Sequence, residues 1–437
     1  FGSRNFDCVR PICFSVHMER TARVQKLQEN GCSILCLDCP EGILFGIDYS
    51  AWAVGPKFMG IKLIPPGLHF VYSSASAEEV GATRSGFFLF LRPQAVTVLR
   101  WDPENEELVH LENQDEEMRY SDGVRGYDFD SNLGPYPHEL ESQWQELTRH
   151  ASAELVDRIE PVSKTIRAKR AEYDGIEEQT PLKSDENIPA QTEKEKGVEE
   201  MHDSSDDDKD ADMDNKVSGN DPSKDGQNID KQGQANTRIE SNLGGGSLFF
   251  SAVPRNRKMK GNSAMETTKL HMDRSSQLET MISRFYSGNE FGIIGELQLA
   301  YIAFLLGQNY DGFEQWKSLL LLLCSCESAI QSRPELFAEL LRSFFAQLSQ
   351  APQDLFGDDL TKENFLGSCA ISLLELCGAE DAPPRLQKRC AKLRELVCEK
   401  FGVSIEDLTF LQGEDAPIVV DIDGRDLVNL GGMDSMD

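Results

Sequence analysis

The sequence predicts an α+β chain: a β-rich, sandwich-like N-terminal domain, then an all-α helical stack, joined by a disordered acidic linker. Two observations carry that prediction. The apolar period is two before residue 173 and 3.6 after residue 238. Between Tyr173 and Phe249 there is no Phe, Trp or Tyr, and residues 174–237 hold 19 Asp or Glu against 7 Lys, a net charge of −12. Such a stretch cannot bury enough apolar area to offset its ordering entropy. The 437 residues allow two to three compact units at about 100–200 residues each. The expected divisions are 1–19, a disordered leader; 20–172, the β-rich domain with flanking helices; 173–237, the linker; 238–412, the helical domain; and 413–437, a tail with a short strand. Residues before Met18 lack a signal-peptide pattern, so Met18 is the expected natural start.

In the first domain, Ser33–Leu37, Ile43–Ile47, Ile61–Ile64, Leu68–Tyr72, Gly86–Arg92 and Ala95–Trp101 are rich in Ile, Val, Phe and Leu. Pro40-Glu41-Gly42, Gly55-Pro56, Pro65-Pro66-Gly67 and Arg92-Pro93 separate them, so they read as strands of a sandwich or curled antiparallel sheet. Arg20–Asn30, closed by Gly31, is an expected helix, and a second is expected over Glu139–Ile159, where Leu140, Trp144, Leu147, Ala151 and Leu155 keep helical spacing.

Beyond the linker, helices are expected from Leu278, through Leu297–Leu305 to a stop at Gly307, and over Phe313–Ile330, whose broad apolar stripe predicts the central helix. Ser332 with Glu335 forms a capping box, with Pro334 in the first turn, for a helix ending near Ala351-Pro352. Two more follow, Lys362–Cys377 closed by Gly378 and Pro384–Phe401 closed by Gly402. In the last, Leu386, Cys390, Leu393 and Val397 form one face, while Arg385, Lys388, Arg389, Lys392 and Arg394 stay wet. No repeat of fixed period is visible.

A net charge of −30 disfavours general binding to nucleic acid or anionic lipid. No apolar run approaches the 18 or so residues a membrane helix needs, and Leu319–Cys324 is interrupted at once by Ser325. Eleven cysteines among apolar neighbours point to reduced thiols serving as small hydrophobes. No phosphate loop, dinucleotide fingerprint or two-histidine zinc helix occurs. Cys32-x3-Cys36-x2-Cys39 invites a zinc reading but lacks a second ligand pair; on a strand, Cys32 and Cys36 share a core face, which is the favoured reading. Cys324 and Cys326, if helical, point too far apart to chelate. His69 is read as a hydrogen-bonded structural histidine. Catalytic, metal and cofactor-binding residues are therefore expected to be none.

Three features point to interaction. Arg255, Arg257, Lys258 and Lys260 form a basic cluster that suits an import receptor or an ordinary solvated loop. Ser204 and Ser205 precede Asp206-Asp207-Asp208 and are candidate phosphorylation sites. Pro417, Ile418, Val419, Val420 and Ile422 make a tail strand that can pair with a partner's sheet edge or within its own chain.

Several ordered blocks then carry a resemblance. Gly46-Ile47-Asp48-Tyr49, Trp52-x-Val54-Gly55-Pro56-Lys57-Phe58-x-Gly60, Ile64-Pro65-Pro66-Gly67-x-His69-Phe70, Gly86-Phe87-Phe88, Thr97-Val98-Leu99-Arg100-Trp101 and Leu133-Gly134-Pro135-Tyr136-Pro137 are similar to the first domain of the Aar-two splicing-factor family. Leu278-Glu279, Gly295-Glu296-Leu297-Gln298, Phe304-Leu305-Leu306-Gly307, Phe313-Glu314-x-Trp316-Lys317, Leu321-Leu322 and Ala416-Pro417-Ile418-Val419-Val420 resemble its second domain. The acidic linker lies outside the pattern. The resemblance implies a non-enzymatic chaperone of U5 small nuclear ribonucleoprotein assembly for pre-mRNA splicing, with no cofactor, shuttling between cytoplasm and nucleus. It would bind the large U5 scaffold protein through its RNase H-like and Jab/MPN domains and keep the spliceosomal helicase off until phosphorylation releases it. The free chain is expected to be a monomer. Lys57, Glu296, Gln298 and Lys317 are the expected exposed contact residues. The competing readings are a helical adaptor of a trafficking-type complex and a cysteine-dependent enzyme, for which no Cys–His pair is visible.

Overall fold

The computed structural model describes Leu27 and residues 29–79, 82–170, 247–254, 273–352, 365–380 and 382–401. Its N-terminal part is two five-stranded sheets packed face to face. Taken in chain order, the strands are β1 (Cys32–Leu37), β2 (Leu44–Ile47), β3 (Ser50–Ala53), β4 (Gly60–Ile64), β5 (Gly67–Ser74), β6 (Arg84–Leu91), β7 (Val96–Asp102), β8 (Glu107–His110), β9 (Gly134–Pro135) and β10 (Ile166–Arg167). One sheet runs β8-β7-β1-β4-β9 and the other β10-β6-β5-β2-β3. Of the two expected arrangements, a sandwich or a curled antiparallel sheet, the sandwich is the one observed, and not all of its pairings are antiparallel. β1 pairs in parallel with β7, and β4 in parallel with β9, so the first sheet is mixed. Strand pattern alone does not carry direction, because side chains alternate identically in both pairings.

Alternation explains the layers. Cys32, Ile34 and Cys36 of β1 point between the sheets, as the shared-face reading expects, together with Phe45, Ile61, Val71, Phe87 and Leu99. Leu35 and Leu37 point the other way, against Val98 and the helix α1 (Gln114–Arg125). β5 is buried on both faces: Val71 enters the sandwich, while Leu68, Phe70 and Tyr72 join a second cluster made mainly of helices. A strand covered on both sides reads as a continuous apolar run, as this one does. At Gly60 the chain needs φ +128°, and a Cβ would lie 1.9 Å from the Ile34 carbonyl oxygen. Only glycine lets β4 approach β1 that closely.

Helix α1 was absent from the sequence expectation. Its single buried residue is Ser121, so it has almost no apolar stripe to detect. The available signal was its cap, where Asn113 accepts from Asp115 N at 3.1 Å and Glu116 N at 3.2 Å. The expected helix over Glu139–Ile159 is broken into α2 (Glu141–Leu147) and α3 (Ala153–Ile159), with Ser152 capping α3 through Leu155 N. Both pieces pack on the same cluster, so their apolar period runs through the break. At the other end, Gly31 N donates to Leu27 O at 2.8 Å, the closure expected there, while residues 20–26 lie outside the described set.

The helical part holds α4 (Ser275–Phe285), α5 (Phe291–Leu305), α6 (Tyr310–Leu323), α7 (Glu327–Ser332), α8 (Pro334–Gln350), α9 (Phe365–Gly378) and α10 (Pro384–Phe401). The central helix is α5, not the expected Phe313–Ile330: every residue from Ile293 to Ala303 is buried. That expected helix ends instead at Leu323. Ser325 Oγ donates to the Leu321 carbonyl at 2.7 Å in the turn before α7. The expected capping box is also corrected. Arg333 stands at the N-cap of α8 without a side-chain cap bond, and Ser332 ends α7, its hydroxyl donating to Ala329 O at 3.3 Å. In α10, Leu386, Cys390, Leu393 and Val397 are the buried face, as the spacing predicted.

Candidate protein-binding surfaces

The turn between β2 and β3 holds Asp48 at φ 53°. Its carboxylate accepts from Phe70 N at 3.0 Å, from the Tyr136 hydroxyl at 2.6 Å and from His69 Nδ1 at 2.7 Å. The other ring nitrogen of His69 faces the Pro65 carbonyl at 2.7 Å. A carboxylate and a carbonyl oxygen face the two ring nitrogens, a setting that favours the doubly protonated imidazolium. Burial opposes that charge, but Asp48, through charge and hydrogen bond, and the Pro65 carbonyl outweigh it and raise the pKa above the ordinary histidine value. Burial pushes the Tyr136 phenol far up, which keeps it a donor. Every polar atom of His69 and of the Asp48 carboxylate is committed inside the fold. The set is a structural lock, as expected of His69.

Glu296 and Gln298 depart from expectation. Neither is an exposed contact residue: both are fully buried in α5. Glu296 accepts from Ser251 N at 2.7 Å, Ser251 Oγ at 2.8 Å, Tyr286 OH at 2.9 Å, Gln315 Nε2 at 2.8 Å and Arg158 Nη2 at 2.5 Å. Gln298 accepts from His150 N at 2.9 Å and donates to Ser343 Oγ at 2.9 Å. Arg158 and His150 come from the N-terminal part, so these two side chains fasten the sandwich side to the helices. The physical reason is the setting. A polar residue inside an all-round apolar helix is buried and paired, because nothing on that helix faces water.

Lys57 is exposed in the loop between β3 and β4. Lys317 is half-buried on α6, its ammonium 5.4 Å from the centre of the Phe365 ring. The remaining expected residues, Ser204, Ser205, Arg255, Arg257, Lys258, Lys260, Pro417, Ile418, Val419, Val420 and Ile422, lie outside the described residues. Among the described residues no His, Cys, Asp and Glu group is placed to hold a metal ion. Cys32 donates to the Arg92 carbonyl at 3.0 Å, and burial raises the Cys36 thiol well above its usual range. No described helix is long and apolar enough to cross a membrane.

One surface feature went unrecognised in the sequence. A trough of about 710 Å³ runs between α2, α8 and α10. Its apolar part includes Leu341, Phe345 and Ala346, and Phe345 is 37% exposed. Arg385, Lys388, Arg389 and Lys392 line its α10 wall. Their spacing was visible, yet only the buried face of α10 was used to place the helix; that α2 would complete a trough with these side chains depends on contacts far apart in sequence.

A mixed-sheet sandwich fused to a stack of helices, with buried polar side chains among the contacts that join the two, defines a two-part α+β protein. Residues 30–161 match the AAR2 N-terminal domain and residues 250–406 the AAR2 C-terminal repeat region. The chain is 32% identical to Protein AAR2 homolog of Mus musculus over 90% of this chain and 94% of that one. It is 31% identical to the Homo sapiens homolog over 91% and 95%, and 30% identical to the Caenorhabditis elegans homolog over 86% and 96%. The chain belongs to the AAR2 family.

Proposed function

We infer that this chain is a non-enzymatic assembly chaperone of the U5 small nuclear ribonucleoprotein in pre-mRNA splicing. The observation that carries the reading is family membership along both parts of the chain, with relatives matched over about nine-tenths of their length. It binds the large U5 scaffold protein through the RNase H-like and Jab/MPN domains, and occupies a surface the spliceosomal helicase needs. A binder touching two domains of one partner raises the effective concentration of its second contact, so modest patches suffice. The tail strand Pro417–Ile422 supplies one contact by β-addition, and phosphorylation of a serine, with Ser204 and Ser205 as candidates, weakens another. Such a factor works in cytoplasm and nucleus, with Arg255, Arg257, Lys258 and Lys260 as the import signal, and needs neither cofactor nor membrane.

The test is capture with the full chain from nuclear and cytoplasmic extracts, probed for the U5 scaffold protein. Its recovery supports the reading; membrane-coat proteins in its place favour the adaptor, and absence of both overturns the proposal. Deleting residues 413–437 should weaken binding to the purified scaffold domains in calorimetry, and unchanged affinity would remove the tail strand from the mechanism.

A further inference from the structure

We propose that the trough between α2, α8 and α10 is a docking site for an acidic amphipathic helix of a partner protein. The argument starts from charge. The chain as a whole carries −30, yet α10 presents Arg385, Lys388, Arg389 and Lys392 along one side, at the i, i+3, i+4 and i+7 positions of a helix. Like charges at those spacings repel and weaken a helix. An anion lying along the row offsets that cost.

The partners of these groups sharpen the choice of ligand. Arg342 is held by Glu146, with Nη2 to Oε1 at 2.5 Å. Arg385 is held by Glu335, and Arg389 donates to the Ala338 carbonyl at 2.7 Å and to Glu339 at 3.4 Å. Glu339, nearly buried below the wall, also lies 3.0 Å from His150, 3.5 Å from Arg149 and 3.8 Å from Arg385, so a single carboxylate answers several cations. Lys388 and Lys392 are exposed and have no protein partner among the described residues. The positive charge in excess therefore sits on two lysines one helical turn apart, beside the exposed ring of Phe345.

A phosphate backbone is a poor match for that arrangement. Arginine forks, the best phosphate ligands, are already committed, and Glu146 and Glu335 would repel a continuous polyanion. Discrete carboxylates one turn apart, with an apolar side chain on the adjoining face, meet both lysines and Phe345 at once. The trough admits a few side chains of such a segment, not a folded domain.

The experiment uses the full chain and a fluorescein-labelled peptide of about 16 residues, with Glu at helical spacing beside a Leu stripe. Anisotropy should report binding at about 50 mM salt that weakens at about 300 mM. Lys388→Glu with Lys392→Glu should lower affinity by about tenfold or more, and Phe345→Ser by a smaller factor. If the double charge reversal shifts the melting curve, Lys388→Gln with Lys392→Gln, which removes the charge without introducing the opposite one, decides in its place. Equal binding by these variants overturns the proposal, as does no binding by the unaltered chain. Tighter binding of a labelled oligouridine of the same length also overturns it, in favour of nucleic acid. The inference goes beyond the scaffold reading, and either can fail without the other because the peptide probe contains no scaffold sequence.

Discussion

Glu296 gathers five hydrogen bonds inside the fold, one of which, from Arg158, crosses from the N-terminal part. Replacing Glu296 with Ala leaves the Ser251 amide and hydroxyl and the Tyr286 hydroxyl without this acceptor, removes one of the two acceptors of Gln315 Nε2 and strips Arg158 of its counter-charge. Breaking one side of a buried ion pair costs about 3–5 kcal/mol. Glu296→Ala should lower unfolding stability by that order in urea titration, and a loss below about 1 kcal/mol would mean the network is solvated rather than closed. His69 makes a second, opposite kind of statement. Its folded-state pKa is raised, so its contribution is fully present below the ordinary value of about 6.5 and is lost as pH rises through the higher folded value. The urea midpoint should therefore fall as pH rises above about 6.5, and His69→Gln should flatten that part of the profile. His69 was legible as structural because it sits among strand residues. Glu296 and Gln298 were not, because polarity was read as exposure, although Ile293-Ile294-Gly295 before them and Leu299-Ala300 after them already marked a helix with no wet face.

Elements were legible where one period dominated and lost where two elements shared one apolar surface. The six expected strands all exist, since alternation and turn residues agreed; the short β3 and β8 lacked enough residues to show a pattern. The breaks at Thr148–Ser152 and Cys324–Cys326 were hidden because both flanks are apolar. Helix α5 offers the sharpest test at this scale. On propensity alone, glycine inside a helix is worse than alanine by about 1 kcal/mol. At Gly295, however, a Cβ would lie 2.2 Å from the His150 carbonyl oxygen and 2.7 Å from Leu155. Gly295→Ala should therefore destabilise by about 1–3 kcal/mol, the usual cost of overpacking. Circular dichroism melting would check the sign, and a stabilised variant would show that α5 is free to move away from the α2–α3 turn.

The whole molecule is tied together more tightly than a sequence with two periods implies. Leu68, Phe70, Tyr72 and Phe88 of the sandwich, Trp144 and Leu155 of α2 and α3, and the helices from α4 to α10 contribute to one hydrophobic cluster. Around it, Arg84 donates to the Leu306 carbonyl at 3.2 Å, Asn309 donates to the Arg167 carbonyl at 2.9 Å, and Lys169 meets Asp311 at 3.0 Å. Such pairings join residues more than a hundred positions apart, which is why local pattern gave no sign of them. A shared core makes one cooperative unit, because melting either side exposes the apolar face of the other. Trp101, packed between the sheets, and Trp316, buried among the helices, are natural reporters of the two sides. Variants retaining only one of them, with the other tryptophans changed to Phe, should give superimposed urea transitions by fluorescence after correction for each variant's own stability. Midpoints that stay more than about 1 M apart would require the sandwich to stand without the helices, and its outer residues Phe70, Tyr72 and Phe88 to tolerate water.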